Sequence, residues 1–514
     1  MGNSTREASA GIGVSSESPT KGKRLPISRR AKFARKAVGA LVWAGPKIAK
    51  IGPLRRRLVK KWEQQTREAS WADVTSGKKP PGVVRDRTAM SVAILKIVER
   101  VLAENRLSPA GLRRFLNVFI GDAVINQGEM GARQRFLDQH GVKPPEILLI
   151  SPTKTCNLSC KGCYADSTST KEKLEWDIMD RMIQEVHDLW GGRFLVFSGG
   201  EPLIYRDDGK DIFDLTEKHG DCFFMMYTNA TLIDNEKAKR MGEFGNIMPA
   251  VSVEGLRERT DERRGPGVFG KTIAAMERLR REKVFFGISM TATKENAEEI
   301  LSDEVINFYF ERMGAMFAWI FQYMPIGRSY TLDLLPTPQQ RYWMWKRSWE
   351  LVYQRKLFLA DFWNSGSATH GCISAGREGG YMAVDWNGNV IPCVFLPYSP
   401  VNIHDAYARG ETLVDVWANP FFERIRAWQR QYGYHQDKQG WDGNWIMPCP
   451  IRDHYAEFYE MVKDYRIVPI DENAAAALHD PDYRQGLIDY NRAVADIFDP
   501  IWKSRYIEGT EISV

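Results

Sequence analysis

The rhythm of apolar and polar positions changes twice along this chain. In the first stretch it is helical. Phe33, Ala37, Val38, Leu41 and Val42 recur at helical spacing, with Arg30, Lys32, Arg35 and Lys36 beside them. Trp43 follows, and then Pro46 and Pro53 interrupt the pattern. Val92, Leu95, Ile97 and Val101 form a second apolar stripe. Ser108 then caps a new start, with Pro109 in its first turn. Residues 62–145 therefore read as a helical lead-in.

From 146 the texture becomes strand followed by helix. Six short apolar runs recur: "EILLISPT", "RFLVFSGG", "CFFMMYTN", "MPAVSVEG", "VFFGISMTA" and "FAWIFQYMPIG". Runs of this length, apolar on both faces and separated by helical stretches, predict a parallel sheet buried on both sides. Six units fall short of the eight of a closed barrel. The expected fold is α/β: a partial (β/α)6 TIM-like barrel over 146–345, behind a helical N-terminal region. Functional loops should follow the C-terminal ends of its strands.

A third texture covers 346–465, rich in Gly, Pro and Trp. Within it, "YMAVDWNGNVIPCVF" reads as a hairpin turning at Asn-Gly. Residues 466–514 read as a helical tail.

Charge changes the picture at one end only. Lys and Arg number 71 against 65 Asp and Glu, a net +6. Residues 21–61 contain fifteen of those cations and no acid, whereas the chain from 62 onward is 55 basic against 63 acidic. Residues 1–20, rich in Ser, Gly and Thr, are expected to be disordered. The segment 21–61 reads as a basic amphipathic element suited to an anionic membrane surface. A solvated basic tail is the plainer alternative. No nucleic-acid motif accompanies it, so no nucleic-acid partner is expected. No apolar run is long enough to span a bilayer.

The chemistry lies in the cysteines. Seven in 514 residues is no disulfide scaffold. Without a secretory pattern a reducing, cytoplasmic setting is expected, peripheral on the inner face of a membrane if the basic segment docks there. Cys156, Cys160 and Cys163 crowd one loop after the first strand. Thiolates at this spacing suit an iron–sulfur cluster or zinc. The loop offers no fourth Cys or His, which favours a cluster with one iron left open.

The Cys-x3-Cys-x2-Cys loop after the first strand of six α/β units resembles the radical S-adenosylmethionine (radical SAM) superfamily. The resemblance extends along the strand ends. "GGEPL" brings Gly199, Gly200, Glu201 and Pro202; "YTNAT" brings Asn229; "SVEG" brings Ser252; and Arg264 lies in "DERRGPG". Tyr164 follows the last cysteine of the loop. The resemblance implies that Cys156, Cys160 and Cys163 hold a SAM-binding 4Fe–4S cluster. Its open iron would chelate the methionine part of SAM. One electron would then release a 5′-deoxyadenosyl radical that takes a hydrogen atom from substrate. It further implies that Tyr164, Gly199, Gly200, Glu201, Pro202, Asn229, Ser252 and Arg264 bind the cofactor. Glu201 would accept from the SAM ammonium and Arg264 would face its carboxylate. Gly162 departs from the aromatic residue frequent before the last cysteine.

The segment "GCISAGREGGYMAVDWNGNVIPCVF" is similar to the opening of a SPASM or twitch domain, whose cysteines hold auxiliary clusters. That similarity makes 346–465 an auxiliary-cluster domain and assigns one auxiliary 4Fe–4S cluster to Cys372, Cys393 and Cys449. His370, Asp453 and His454 are the nearby candidates for a fourth ligand. Cys222, at the start of a strand, reads as a buried bystander.

Taken together, these features predict a radical SAM enzyme that functionalises C–H bonds. Its expected substrate is apolar and membrane-associated, a lipid or isoprenoid. The alternatives are a peptide- or protein-modifying SPASM maturase and a non-catalytic iron–sulfur electron carrier. Family likeness also implies a small electron donor, flavodoxin or ferredoxin. Gln322, Tyr323 and Arg328, after the sixth strand, are candidate substrate contacts, with core packing the plainer role for Tyr323.

Overall fold

A computed structural model describes residues 52–75, 77, 79–118, 130–434, 441 and 443–509. The expected disordered segment and most of the basic segment, residues 1–51, lie outside the described residues.

All six apolar runs are strands. They are β1 (Ile147–Ile150), β2 (Phe194–Phe197), β3 (Phe223–Thr228), β4 (Ile247–Val253), β5 (Gly287–Ala292) and β6 (Ala318–Gln322). Each pairs in parallel with the next. Two further parallel strands extend this set. β7 (Leu359–Asp361) adds to β6 in parallel. β8 (Tyr381–Val384) returns to the opposite edge and pairs in parallel with β1, Tyr381 beside Ile147. β9 (Asn389–Ile391) then folds back on β8 as the expected hairpin, and the short strand Val401–Asn402 closes that edge. The result is an open α/β sheet, with β7 at one edge and Val401–Asn402 at the other. The hairpin of the cysteine-bearing region is thus continuous with the barrel sheet.

Alternation sorts the strand side chains into two cores. Leu148, Leu195, Phe224 and Ile288 point outward under the helices. Leu149, Val196, Met225 and Ala250 point inward. The inward set shares its cluster with Ile97, Val101 and Leu102 of the helix Pro81–Ala103 and with Phe115. That helix therefore plugs the end of the barrel where the strands begin. Ser108 caps the next helix by accepting from the Gly111 amide at 3.0 Å, with Pro109 at its first turn.

Asp86, buried to 0 % exposure on the plugging helix, ties distant parts of the chain together. It accepts from Tyr353 Oη at 2.5 Å, Ser367 Oγ at 2.5 Å and Tyr506 Oη at 2.8 Å. Burial pushes its carboxyl pKa up, against the opposing charge of Arg505. Three hydroxyl donors satisfy a group that would otherwise be costly to bury. The catalytic end of the barrel is left to the loops after the strands.

Candidate functional site

The loop after β1 carries Cys156, Cys160 and Cys163, and its shape is imposed from several strands. Arg328, after β6, is its main brace. The Arg328 amide donates to Cys163 O at 2.9 Å, Nε to Asp166 at 3.0 Å, and Nη1 to Ser159 Oγ at 2.9 Å and Cys160 O at 3.0 Å. A further guanidinium bond goes to Ser167 O. Arg328 thus clamps the cysteine loop instead of standing free for substrate. Gln322 is similarly engaged, donating to both oxygens of the fully buried Asp361 at 3.1 and 2.9 Å.

Gly162 has a local reason. Its φ is +64°, and a Cβ there would lie 2.7 Å from the Tyr323 ring. Tyr323, 1 % exposed, fills the space, as its packing role predicts. The glycines after β2 answer a related demand. A Cβ on Gly200 would lie 2.2 Å from Thr155 O. Hydrogen bonds run from the Gly200 amide to Thr153 O at 2.8 Å and from the Glu201 amide to Thr155 O at 2.9 Å. Backbone lies on backbone here, which requires glycine. Pro202 then opens a short 3-10 turn, Pro202–Ile204.

Glu201 is 0 % exposed. Its carboxylate accepts from Thr228 Oγ1 at 2.7 Å and from the amides of Asn229 at 2.8 Å and Leu203 at 3.2 Å. Burial nonetheless pushes its pKa up to about 7. Asn229 faces the cysteine loop, its Nδ2 donating to Asn157 Oδ1 at 2.9 Å and lying 3.7 Å from Cys156 Sγ. Tyr164 bonds Ser198 Oγ at 2.7 Å and accepts from the Gly199 amide at 3.1 Å, linking the ends of β1 and β2. Burial pushes its phenol up to about 12. Ser252 is half-buried on β4, in register with Ser289.

Arg264 is held by a neighbour that the motif reading passed over. Glu254, 1 % exposed in the same "SVEG" stretch, accepts from Arg263 and Arg264 and from the Thr291 amide. Burial disfavours the charge of Arg264, but Glu254 outweighs it and holds the guanidinium pKa above its ordinary value, close to Cys160 and Cys163. Arg263 reaches the loop too, donating to Gly162 O at 3.3 Å. The structure therefore gathers Tyr164, Gly199, Glu201, Asn229 and Arg264 around the cysteine loop, with Ser252 on the neighbouring strand. Glu254 and Thr228 are supports that lie within quoted motifs without having been assigned a role, and Arg328, expected as a substrate contact, is a third.

The second thiol set forms from three separate stretches. Cys372, Cys393 and Cys449 lie close enough for the other two to raise the proton affinity of Cys449, after burial as the leading cause. Ser374 Oγ is 3.1 Å from Cys372 Sγ, and Tyr381 Oη is 2.8 Å from Cys393 Sγ. The three nearby polar candidates have other partners. Asp453 pairs with Arg341, His454 bonds Met447 O at 2.8 Å, and His370 contacts Arg87. Cys222, 1 % exposed, belongs to the helix-covered core.

An aromatic layer spans the space between the two thiol sets. Tyr164, next to Cys163, lies 5.7 Å edge-on to Phe395, two residues past Cys393. Phe395 contacts Phe321 at 5.7 Å and Trp363 at 5.5 Å, and Phe321 contacts Tyr227 at 5.5 Å.

Both thiol sets fit iron–sulfur chemistry by their donors. All six are free thiols. Burial pushes Cys156 up to about 11 and Cys393 up to about 12, so each stays protonated unless a cation replaces its proton. Peptide N–H groups stand ready for the sulfurs: Leu158 to Cys156 at 3.4 Å and Phe395 to Cys393 at 3.4 Å. Among the described residues no three such side chains are drawn into closed metal geometry, so the fit rests on donor chemistry.

Residues 150–303 match the radical SAM superfamily, and residues 372–439 match the SPASM iron–sulfur cluster-binding domain. An AdoMet-dependent heme synthase of Methanosarcina barkeri is 29% identical over 309 residues, covering 55% of this chain and 85% of that protein. The AdoMet-dependent heme synthase of Nitratidesulfovibrio vulgaris is 26% identical over 311 residues, covering 55% and 80%. The solved structure of Streptococcus suis SuiB bound to precursor peptide SuiA has a TM-score of 0.47 at 18% identity. It covers 59% of this chain and 72% of that one, too loose a likeness to bear on function.

Proposed function

Because the chain belongs to the radical SAM superfamily and carries a SPASM iron–sulfur domain, we propose that it functionalises a C–H bond of an apolar, membrane-associated substrate, a lipid or isoprenoid. The family's cofactors are a 4Fe–4S cluster, SAM and auxiliary iron–sulfur chemistry. Cys156, Cys160 and Cys163 would hold the cluster, which with SAM would supply a 5′-deoxyadenosyl radical. The protein's part is to position, desolvate and orient. Glu201 offers a buried carboxylate to the SAM ammonium, and Asn229 and Arg264 face the same loop. Flavodoxin or ferredoxin is the electron donor that suits this chemistry.

The observation that carries the substrate reading is the aromatic layer between the two thiol sets. Edge-on and tilted rings favour an apolar guest and exclude water from a radical. A planar tetrapyrrole is the second reading, favoured by the heme synthases among the relatives, since the same rings can stack on a macrocycle. Deuterium transfer decides between them. Reconstituted enzyme with SAM and reductant is offered perdeuterated acyl lipids or deuterated iron coproporphyrin, and 5′-deoxyadenosine is analysed by mass. Label from the lipid supports the proposal; label from the porphyrin alone replaces it.

Membrane contact has support from the helix Gly52–Thr75. Successive residues turn by about 100°. Arg56, Arg57, Lys60, Gln64 and Arg67 therefore share one outward face with Trp71, which is 69 % exposed. Cations along a helix with a Trp at one end suit an anionic interface. No described helix is long and apolar enough to cross a membrane. Reversing Arg56, Arg57, Lys60 and Arg67 to Glu should weaken binding to phosphatidylglycerol vesicles at low salt by at least about tenfold, taking roughly 1 kcal/mol per cation before screening. Unchanged co-sedimentation removes this helix from the docking surface.

Glu201 gives a pH test. Its folded pKa of about 7 lies above the ordinary carboxylate value, so the empty site takes up a proton as pH falls through 7. Its contribution to stability is therefore greatest below the ordinary pKa and is lost as pH rises through the folded one. A bound ammonium reverses that preference. SAM binding should release a proton near pH 7 and tighten between pH 6 and 8. Calorimetry in buffers of different ionisation enthalpy reads the proton. Glu201→Gln should bind more weakly, without the pH slope; a retained slope places the proton elsewhere.

A further inference from the structure

We propose that Tyr381 is a positioning residue that sets the reduction potential of the auxiliary cluster through a hydrogen bond to Cys393. The hydroxyl of Tyr381 lies 2.8 Å from Cys393 Sγ. Once Cys393 is a thiolate ligand, its sulfur can only accept, so the phenol must donate. The residue is 5 % exposed and lies in the inward-facing core.

Its backbone fixes the aim. The Tyr381 amide donates to Ile373 O at 2.8 Å, and its carbonyl accepts from the Gly376 amide at 2.9 Å. Those bonds reach the loop that begins at Cys372. On the other side β8 is held by β1, with Tyr381 in register with Ile147. One residue therefore links the stretch bearing Cys372, the sulfur of Cys393 and the strand that leads into the first cysteine loop.

Two other donors to the second thiol set are peptide N–H groups from two residues away, Ser374 serving Cys372 and Phe395 serving Cys393. Tyr381 reaches Cys393 from a different strand. Hydrogen bonds to ligand sulfur stabilise the reduced, more negative state of an iron–sulfur cluster and raise its potential. The bond is short and shielded from water, where its effect is greatest. This inference assumes the auxiliary cluster and is independent of which substrate the enzyme takes.

The test is a redox titration of the reconstituted holoenzyme followed by electron paramagnetic resonance. Tyr381→Phe removes one oxygen and keeps the ring. The auxiliary signal should titrate at a more negative potential while the SAM-binding signal stays in place. Replacing Tyr381 with 3,5-difluorotyrosine, a stronger donor of the same shape, should move the auxiliary potential the opposite way. An unchanged auxiliary potential in both variants at full iron content overturns the proposal. So does selective loss of auxiliary iron from Tyr381→Phe, because the hydroxyl would then build the site and not tune it.

Discussion

Cys160→Ala should yield a folded chain that releases no 5′-deoxyadenosine. Cys160 is only half-buried and lies outside the barrel's apolar core. Its loop is braced by neighbours that the substitution leaves untouched. Arg328 still reaches Asp166, Ser159 and the Cys160 carbonyl, and Thr155 Oγ1 still donates to Thr170 O at 2.5 Å. Thermal unfolding should therefore shift little. What disappears is one of the three thiols that the loop offers to a cluster. Iron should fall by the share of one cluster while the auxiliary thiols keep theirs. Chromatography of the nucleoside product, iron content and circular dichroism together check the result. Undiminished 5′-deoxyadenosine from this variant would remove the family's chemistry from the loop.

Asp453→Ala should cost roughly 3–5 kcal/mol of folding free energy, the usual penalty for stranding the partner of a buried ion pair. Arg341 and Asp453 are both 0 % exposed at the side chain. The guanidinium also donates to Asn364 Oδ1 at 3.2 Å and to Ile446 O at 3.0 Å. Removing the carboxylate leaves a buried cation with only neutral acceptors. Burial alone would raise the Asp453 pKa, but the charge of Arg341 outweighs it and the carboxyl lies below its usual range. The pair's stabilisation is thus present above the ordinary aspartate pKa and fades as pH falls below it. Asp453 also accepts from the Cys449 amide at 3.0 Å, so the variant should lose auxiliary iron as well. A double replacement, Arg341→Met with Asp453→Leu, should recover much of the stability, since no charge is then stranded. Denaturant unfolding of the single and double variants measures both effects. A single variant as stable as the parent would deny the pair its role.

These two residues mark a boundary between what could be read from the chain and what could not. Cys160 was legible because ligand thiols must be crowded within one loop, and crowding is a local property. Asp453 stood out only as an acid near a cysteine, which made it a candidate ligand. Its commitment to Arg341, 112 positions away, leaves no trace in local spacing. The same holds for Glu201 and Glu254. Both follow buried strands in quoted motifs, but only Glu201 was read as functional. The demand on Glu254 comes from Arg263 and Arg264, which a helix folds back onto it.

Gly162 shows the converse. Its departure from the aromatic frequent at that position is unexplained in the chain and plain in the fold, where Tyr323 from beyond β6 fills the space. The helix of residues 81–103 was visible from its periodicity. That it plugs the barrel was not, because an apolar stripe records that a face is buried and not against what.

The six-strand α/β order, the first cysteine loop and the motifs at successive strand ends were determined by the sequence itself, through side-chain period and local crowding. The pairing of β8 with β1, the gathering of Cys372, Cys393 and Cys449 from three stretches, and the reach of Tyr381 to Cys393 were decided only by tertiary structure. Each depends on long-range packing and burial, which bring together groups that no local pattern relates.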